Sequence, residues 1–195
     1  MNQKLFTIAE VVVLGALVLF VSCCILACMN SLLSLQPINR IRRNHGLEHA
    51  TIHVLTSKKR RGVAGYSDAG GFWLVGDWST EEVEAAVNEA LQRMRGGEHE
   101  LAIHPTCGTN FVTAGMFAGL AAFVSLIGAR TWRDKLERLP LTLVFATAAI
   151  VFAQPVGLRL QAEITTNGVV GEMEIVSVKK VSSSPAVVHR IETRG

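Results

Sequence analysis

The chain has 195 residues, 49% of them hydrophobic and 18% charged, with a net charge of +3 and a mean hydropathy of +0.34. That balance excludes an ordinary soluble or secreted domain of this size. Of the four cysteines, three sit inside one apolar run, which excludes a disulfide framework.

Three uncharged runs account for the apolar excess: residues 11–29, 111–128 and 139–158. Each is long enough to cross a hydrocarbon core of roughly 30 Å as a helix. The first is read as a retained transmembrane helix within residues 1–36. Its competing reading is a cleaved signal, because Ile25-Leu26-Ala27-Cys28 resembles a lipoprotein cleavage box. The positive charge follows this run rather than preceding it, which favours the retained helix. Cys23, Cys24 and Cys28 then act as small hydrophobes.

Residues 37–110 form a polar segment. Between Arg40 and Arg61 it holds seven basic residues and one acid, so by the positive-inside rule this side is cytoplasmic. The basic residues suit anionic headgroups, and no nucleic-acid motif accompanies them. Within the segment lies His45-Gly46-Leu47-Glu48-His49, an H-x-x-E-H pattern on a helix expected over residues 40–55. Positions four apart share a helix face, so His45 and His49 can offer imidazoles to one cation, with Glu48 beside them. Zn²⁺ suits neutral imidazole nitrogen, and a carboxylate there can take a proton from water on the metal. A surface helix with scattered polar groups gives the same short pattern.

Five glycines fall between residues 62 and 76, and the alternation around Gly70-Gly71 suggests a hairpin or a glycine-rich flap. Ser79-Thr80-Glu81-Glu82 opens an amphipathic helix with Val83, Ala86, Val87, Ala90, Leu91 and Met94 on one face, stopped by Gly96-Gly97. His104-Pro105-Thr106-Cys107 is a turn whose spacing can present both His104 and Cys107 to one metal ion. Residues 111–158 are then a transmembrane hairpin. Alternation in residues 158–165 and 172–178 around Asn167-Gly168 suggests a β-hairpin tail over residues 159–181. Residues 182–195 look disordered.

The segments His45-Gly46-x-Glu48-His49-x-Thr51-Ile52 and His104-Pro105-x-Cys107-Gly108-Thr109, together with the stretch from Pro155 to Thr166 and Glu174-Ile175, resemble the YqhQ-like family of bacterial membrane proteins. That family is of unknown function and is described as metal-dependent enzymes. The resemblance implies a metal site using His45, Glu48, His49, His104 and Cys107, and no known reaction.

The fold class expected is an α-helical integral membrane protein of about three transmembrane helices, with a small α+β polar portion on one membrane face. The function expected is a zinc-dependent hydrolase of the metallopeptidase kind at the cytoplasmic surface of a bacterial inner membrane. Glu48 is its general base, and His45, His49, His104 and Cys107 are the candidate zinc ligands. Its partners are the lipid bilayer and a membrane protein substrate or complex, not nucleic acid. If all four ligands bind, the site is closed, and the alternative is an assembly factor or complex subunit with a structural metal.

Overall fold

The computed structural model describes residues 28–29, 31–59 and 61–195. The chain divides into two compact units, Met1–Asn39 and Arg40–Gly195. In the first, the described residues include a helical turn at 31–34. The expected span over residues 11–29 lies outside the described residues except for its last two.

Helix α1 covers Gln36–Lys58. Leu47, Ala50, Val54 and Leu55 recur at three- and four-residue spacing and are buried together. The Thr51 and Thr56 hydroxyls donate back to the carbonyls of Leu47 and Ile52, both at 2.7 Å, which leaves them satisfied inside the helix. A hairpin follows, strand β1 over Ala64–Asp68 and β2 over Gly71–Val75. The Asp68 carboxylate fixes its turn by accepting the Gly70 N–H at 2.7 Å and two Arg190 bonds at 2.8 and 2.9 Å.

Helix α2, Thr80–Arg95, opens on a capping box: the Ser79 hydroxyl accepts from the Glu82 N–H, and the Glu82 carboxylate accepts from the Ser79 N–H. Its buried face is the one its periodicity foretells, Val83, Ala86, Val87, Ala90, Leu91 and Met94. Two apolar helices come next, α3 over Gly108–Ser125 and α4 over Trp132–Leu160. The chain ends in strands β3, Glu174–Ser182, and β4, Val188–Arg194.

The four strands form one antiparallel sheet in the order β1-β2-β4-β3. Phe72 and Leu74 of β2 and Ile191 of β4 join the α1 and α2 faces in a single core, closed by Trp78, Ala102, Val170 and Met173. Helices α1 and α2 thus cover one face of the sheet. Arg40 and Arg42 tie the C-terminal segments to α1, donating to the carbonyls of Thr193, Glu163 and Thr166.

Helices α3 and α4 pack side by side and leave Phe111, Met116, Leu120, Phe123, Val144, Val151 and Phe152 exposed. Both are long and apolar enough to cross a membrane. Ser125 bonds Thr142 at 2.8 Å, and Arg138 donates to the Ser125 and Ile127 carbonyls at 3.3 and 2.6 Å, satisfying the C-terminal end of α3.

Several expectations are corrected. The expected α-helical integral membrane protein of about three spans does not hold. Among the described residues two helices, not three, are long and apolar enough to cross a membrane, and the chain also carries a four-stranded antiparallel sheet. Residues 158–165 do not start a β-hairpin tail: α4 runs through Pro155 to Leu160 and continues as a π turn, Gln161–Thr165. Nor are residues 182–195 a disordered tail. They hold β4, which sits between β2 and β3 and buries Ile191 completely.

Candidate metal centre

The α1 face that carries His45, Glu48 and His49 is the one its spacing dictates. The two imidazole rings meet edge to face, 4.4 Å between centroids. His45 Nδ1 lies 3.0 Å from the Thr165 carbonyl and His49 Nδ1 lies 2.7 Å from the Ala102 carbonyl. A carbonyl can only accept, so each Nδ1 carries the proton, and each neutral ring is left with its Nε2 lone pair. The π turn supplies one orienting carbonyl, and the 3₁₀ turn His99–Ala102 supplies the other.

Cys107 is the N-cap residue of α3. Its Sγ stands 3.5 Å from His45 Nε2 and 3.6 Å from Thr109 Oγ1. One ligand atom from each of His45, His49 and Cys107 falls within 4.8 Å of the others. A tetrahedral zinc with bonds of about 2.0–2.1 Å to nitrogen and 2.3 Å to sulfur would separate N from S by about 3.6 Å. The observed N–S distance fits that edge, and the three residues can hold a metal ion.

The loop bearing Cys107 is pinned from α3 and the end of α4. Gln161 is completely buried; its Oε1 accepts the His104 N–H at 2.9 Å and its Nε2 donates to Asn110 Oδ1 at 2.7 Å. Asn110 Nδ2 in turn donates to the Pro105 carbonyl at 2.7 Å. Only glycine fits at 157, since a Cβ there would lie 2.5 Å from Asn110 Oδ1 and 3.2 Å from its Cα.

His104 is near but differently held. Its ring is 5.8 Å from His49 and 4.6 Å from His53, centroid to centroid. Its Nδ1 accepts from the Thr106 backbone N–H at 3.3 Å and lies 2.9 Å from the Thr106 hydroxyl. The neutral ring therefore carries its proton on Nε2, the reverse of His45 and His49. Burial, with His53 and His49 adding repulsion, brings its pKa down to about 4. The sequence spacing offered His104 and Cys107 together, and the structure brings only Cys107 into the trio.

Burial raises the Cys107 thiol, but hydrogen bonds from His45, His49 and Thr109 outweigh it and bring the pKa to about 5. Burial lowers His45, yet its bond to Cys107 and the nearby Glu48 carboxylate outweigh that and hold its pKa above the ordinary value. At neutral pH the metal-free pair is thus drawn toward thiolate and imidazolium. A metal displaces the His45 proton, so affinity is expected to fall as acidification takes pH through the raised His45 pKa. Cys107 adds its own loss only toward pH 5. Zinc dissociation constants from chelator competition between pH 8 and 5 check this; a flat profile contradicts it.

Glu48 is buried, and burial pushes its carboxyl above the ordinary pKa against the opposing Ser67 bond and both histidines. The Ser67 hydroxyl of β1 donates to Glu48 Oε2. Gly65 lies against the same carboxylate so closely that a Cβ would sit 2.2 Å from Oε1. Glu48, His45, His49, Ile52, His104 and Cys107 line a cavity of about 170 Å³, together with Val63, Ala64 and Gly65 of the hairpin.

A family model described as Domain of unknown function (DUF6391) matches residues 40–178. The chain belongs to that family. The match takes in every candidate ligand and ends before β4. An uncharacterized protein of Picosynechococcus sp. is 38% identical over 142 residues, 65% of this chain and 65% of its own length. The chain therefore spans less than two thirds of that relative. No solved structure matches.

Sequence reasoning missed the supports of the DUF6391 site: Ser67 and Gly65 on β1, the Thr165 and Ala102 carbonyls, and the Gln161–Asn110 pair. The signal for the last two was present. Each is an amide residue at the border of an apolar run, where a side chain with no hydrogen-bond partner is costly.

Proposed function

We propose that the protein is a zinc-dependent hydrolase of the metallopeptidase kind, anchored by α3 and α4 in a bacterial plasma membrane with its site on the cytoplasmic face. The observation that carries this reading is the donor set, two imidazoles and a cysteine sulfur lining one cavity with a buried carboxylate beside them. Three protein ligands leave one position open, as catalytic zinc requires. The lone pair of His104 Nδ1 is engaged by the Thr106 N–H, which supports a fourth position left free of protein ligands. Cys107 caps the first apolar helix, so the cavity adjoins the start of the hairpin that anchors the chain. The resemblance to YqhQ-like proteins agrees with this setting.

Zinc, when bound, would lower the pKa of a water toward about 7 and polarise a substrate carbonyl. The chain's own residues do the rest. His45 and His49 hold their lone pairs in place through the Thr165 and Ala102 carbonyls. Glu48, with its raised pKa, takes a proton from the attacking water and returns it to the leaving amine. The Ser67 hydroxyl holds the carboxylate in position. X-ray absorption and metal content of the detergent-purified protein test the reading: one zinc with two nitrogens, one sulfur and one light oxygen is expected. Four protein ligands would make the site structural and overturn it.

A further inference from the structure

The sheet has two edges, and they are built differently. Strand β3 carries two irregularities in its pairing with β4, between Ile175 and Ser177 and between Lys180 and Ser182. It also bears Lys179 and Lys180. Bulges and lysines are how proteins protect an edge from pairing with another chain. Strand β1 has neither: it pairs with β2 in unbroken register from Ala64 to Asp68. Its single charge, Asp68, is held by Arg190.

The ladder fixes which groups β1 leaves outward. Thr193 N–H donates to the Gly70 carbonyl and Gly76 N–H to the Val187 carbonyl, both at 3.0 Å. Even-numbered residues of β2 therefore bond to β4, and odd-numbered ones bond back to β1. Their partners are Ala64, Tyr66 and Asp68. The backbone N–H and C=O groups of Gly65 and Ser67 consequently point away from the sheet. Among the described residues no other element pairs with them.

This edge is a wall of the site. The cavity is lined by Val63, Ala64 and Gly65 at the start of the hairpin, by His104, Thr106, Cys107 and Gly108, and by His45, Glu48, His49 and Ile52 of α1. A strand added to β1 would run about 4.8 Å from it, beside the Ala64 and Gly65 that line the cavity. We propose that β1 is a docking edge for an extended polypeptide, which joins the sheet as a fifth strand through the Gly65 and Ser67 backbone and lies across the Glu48 cavity. The occupant is an unfolded or unpaired segment of another protein, recognised by its main chain rather than by a sequence motif. The inference rests on reading the cavity as a hydrolytic centre, and it names the form in which substrate arrives.

The test uses the full chain, zinc-loaded and purified in detergent, with Glu48→Gln to prevent turnover. The probe is fluorescently labelled, reduced and carboxymethylated α-lactalbumin, a permanently unfolded chain, followed by anisotropy. Ser67→Ala and Ser67→Pro both remove the hydroxyl, but only proline removes the outward N–H. Binding is expected in the Glu48→Gln background and with Ser67→Ala added, and at least tenfold weaker with Ser67→Pro at unchanged zinc content. Equal binding by the alanine and proline variants, or no binding at all, overturns the proposal. Should Ser67→Pro fail to fold, hydrogen exchange decides: the unfolded chain must slow exchange in the segment holding Gly65 and Ser67, and unslowed exchange overturns it. Zinc content read in the same samples separates this failure from failure of the metal site itself.

Discussion

Replacing His49 by alanine is expected to abolish stoichiometric metal binding, weakening zinc affinity about a thousandfold. Zinc sites of this donor type bind with about 12 kcal/mol, so one of three protein ligands carries about 4 kcal/mol, which is about a thousandfold. The geometry gives no substitute. His53 sits one turn on and points Nε2 at the Ile103 carbonyl at 2.9 Å, and His104 has Nδ1 on Thr106. Losing the imidazole also leaves the Ala102 carbonyl without its donor, at a stability cost of about 1–3 kcal/mol. The control is His53→Ala, on the same helix but outside the trio, which keeps one zinc per chain. Zinc measured by mass spectrometry after dialysis, with circular dichroism to verify folding, distinguishes the two variants. Undiminished zinc in His49→Ala would sink the assignment.

That centre was legible in part because its signals are local. An H-x-x-E-H run on a helix puts three functional side chains on one face whatever the rest of the fold does. The capping box of α2 and its six-residue apolar face are equally local, and the glycine-rich hairpin announces itself through Gly70-Gly71. What the sequence did not reveal depends on distant partners. Strand β4 reads as a polar tail because two of its three inward residues are His189 and Thr193. They are buried only because Thr80 and Asn44 supply hydrogen bonds from far along the chain. Residues 158–165 alternate like a strand, yet Gln161 is drawn inward by Asn110 and the His104 N–H, and the backbone stays helical. The division between His104 and Cys107 is of the same kind. Spacing made them equals, and a short-range bond from the Thr106 N–H set the tautomer of one.

Glu48→Gln is expected to keep one zinc per chain and to lower peptide hydrolysis by about 10²–10⁴-fold, the contribution of a positioned general base. Glutamine has the same shape, so its Oε1 can still accept from Ser67, and the glycine at 65 still clears it. Glu48 is not among the three ligand residues, so metal occupancy does not depend on its charge. The pH dependence carries the sign. Burial raises the Glu48 pKa, so the carboxylate needed as base is lost as pH falls through that raised value. Activity should therefore decline on the acid side earlier than for an ordinary glutamate, and the glutamine variant should lack that limb. The structural-metal reading expects otherwise. There Glu48 would only orient a neighbouring histidine, and glutamine would weaken zinc binding about 10–100-fold instead. Zinc affinity and cleavage of labelled casein, measured side by side on the two proteins, separate these outcomes. Retained zinc with retained cleavage would remove Glu48 from the reaction.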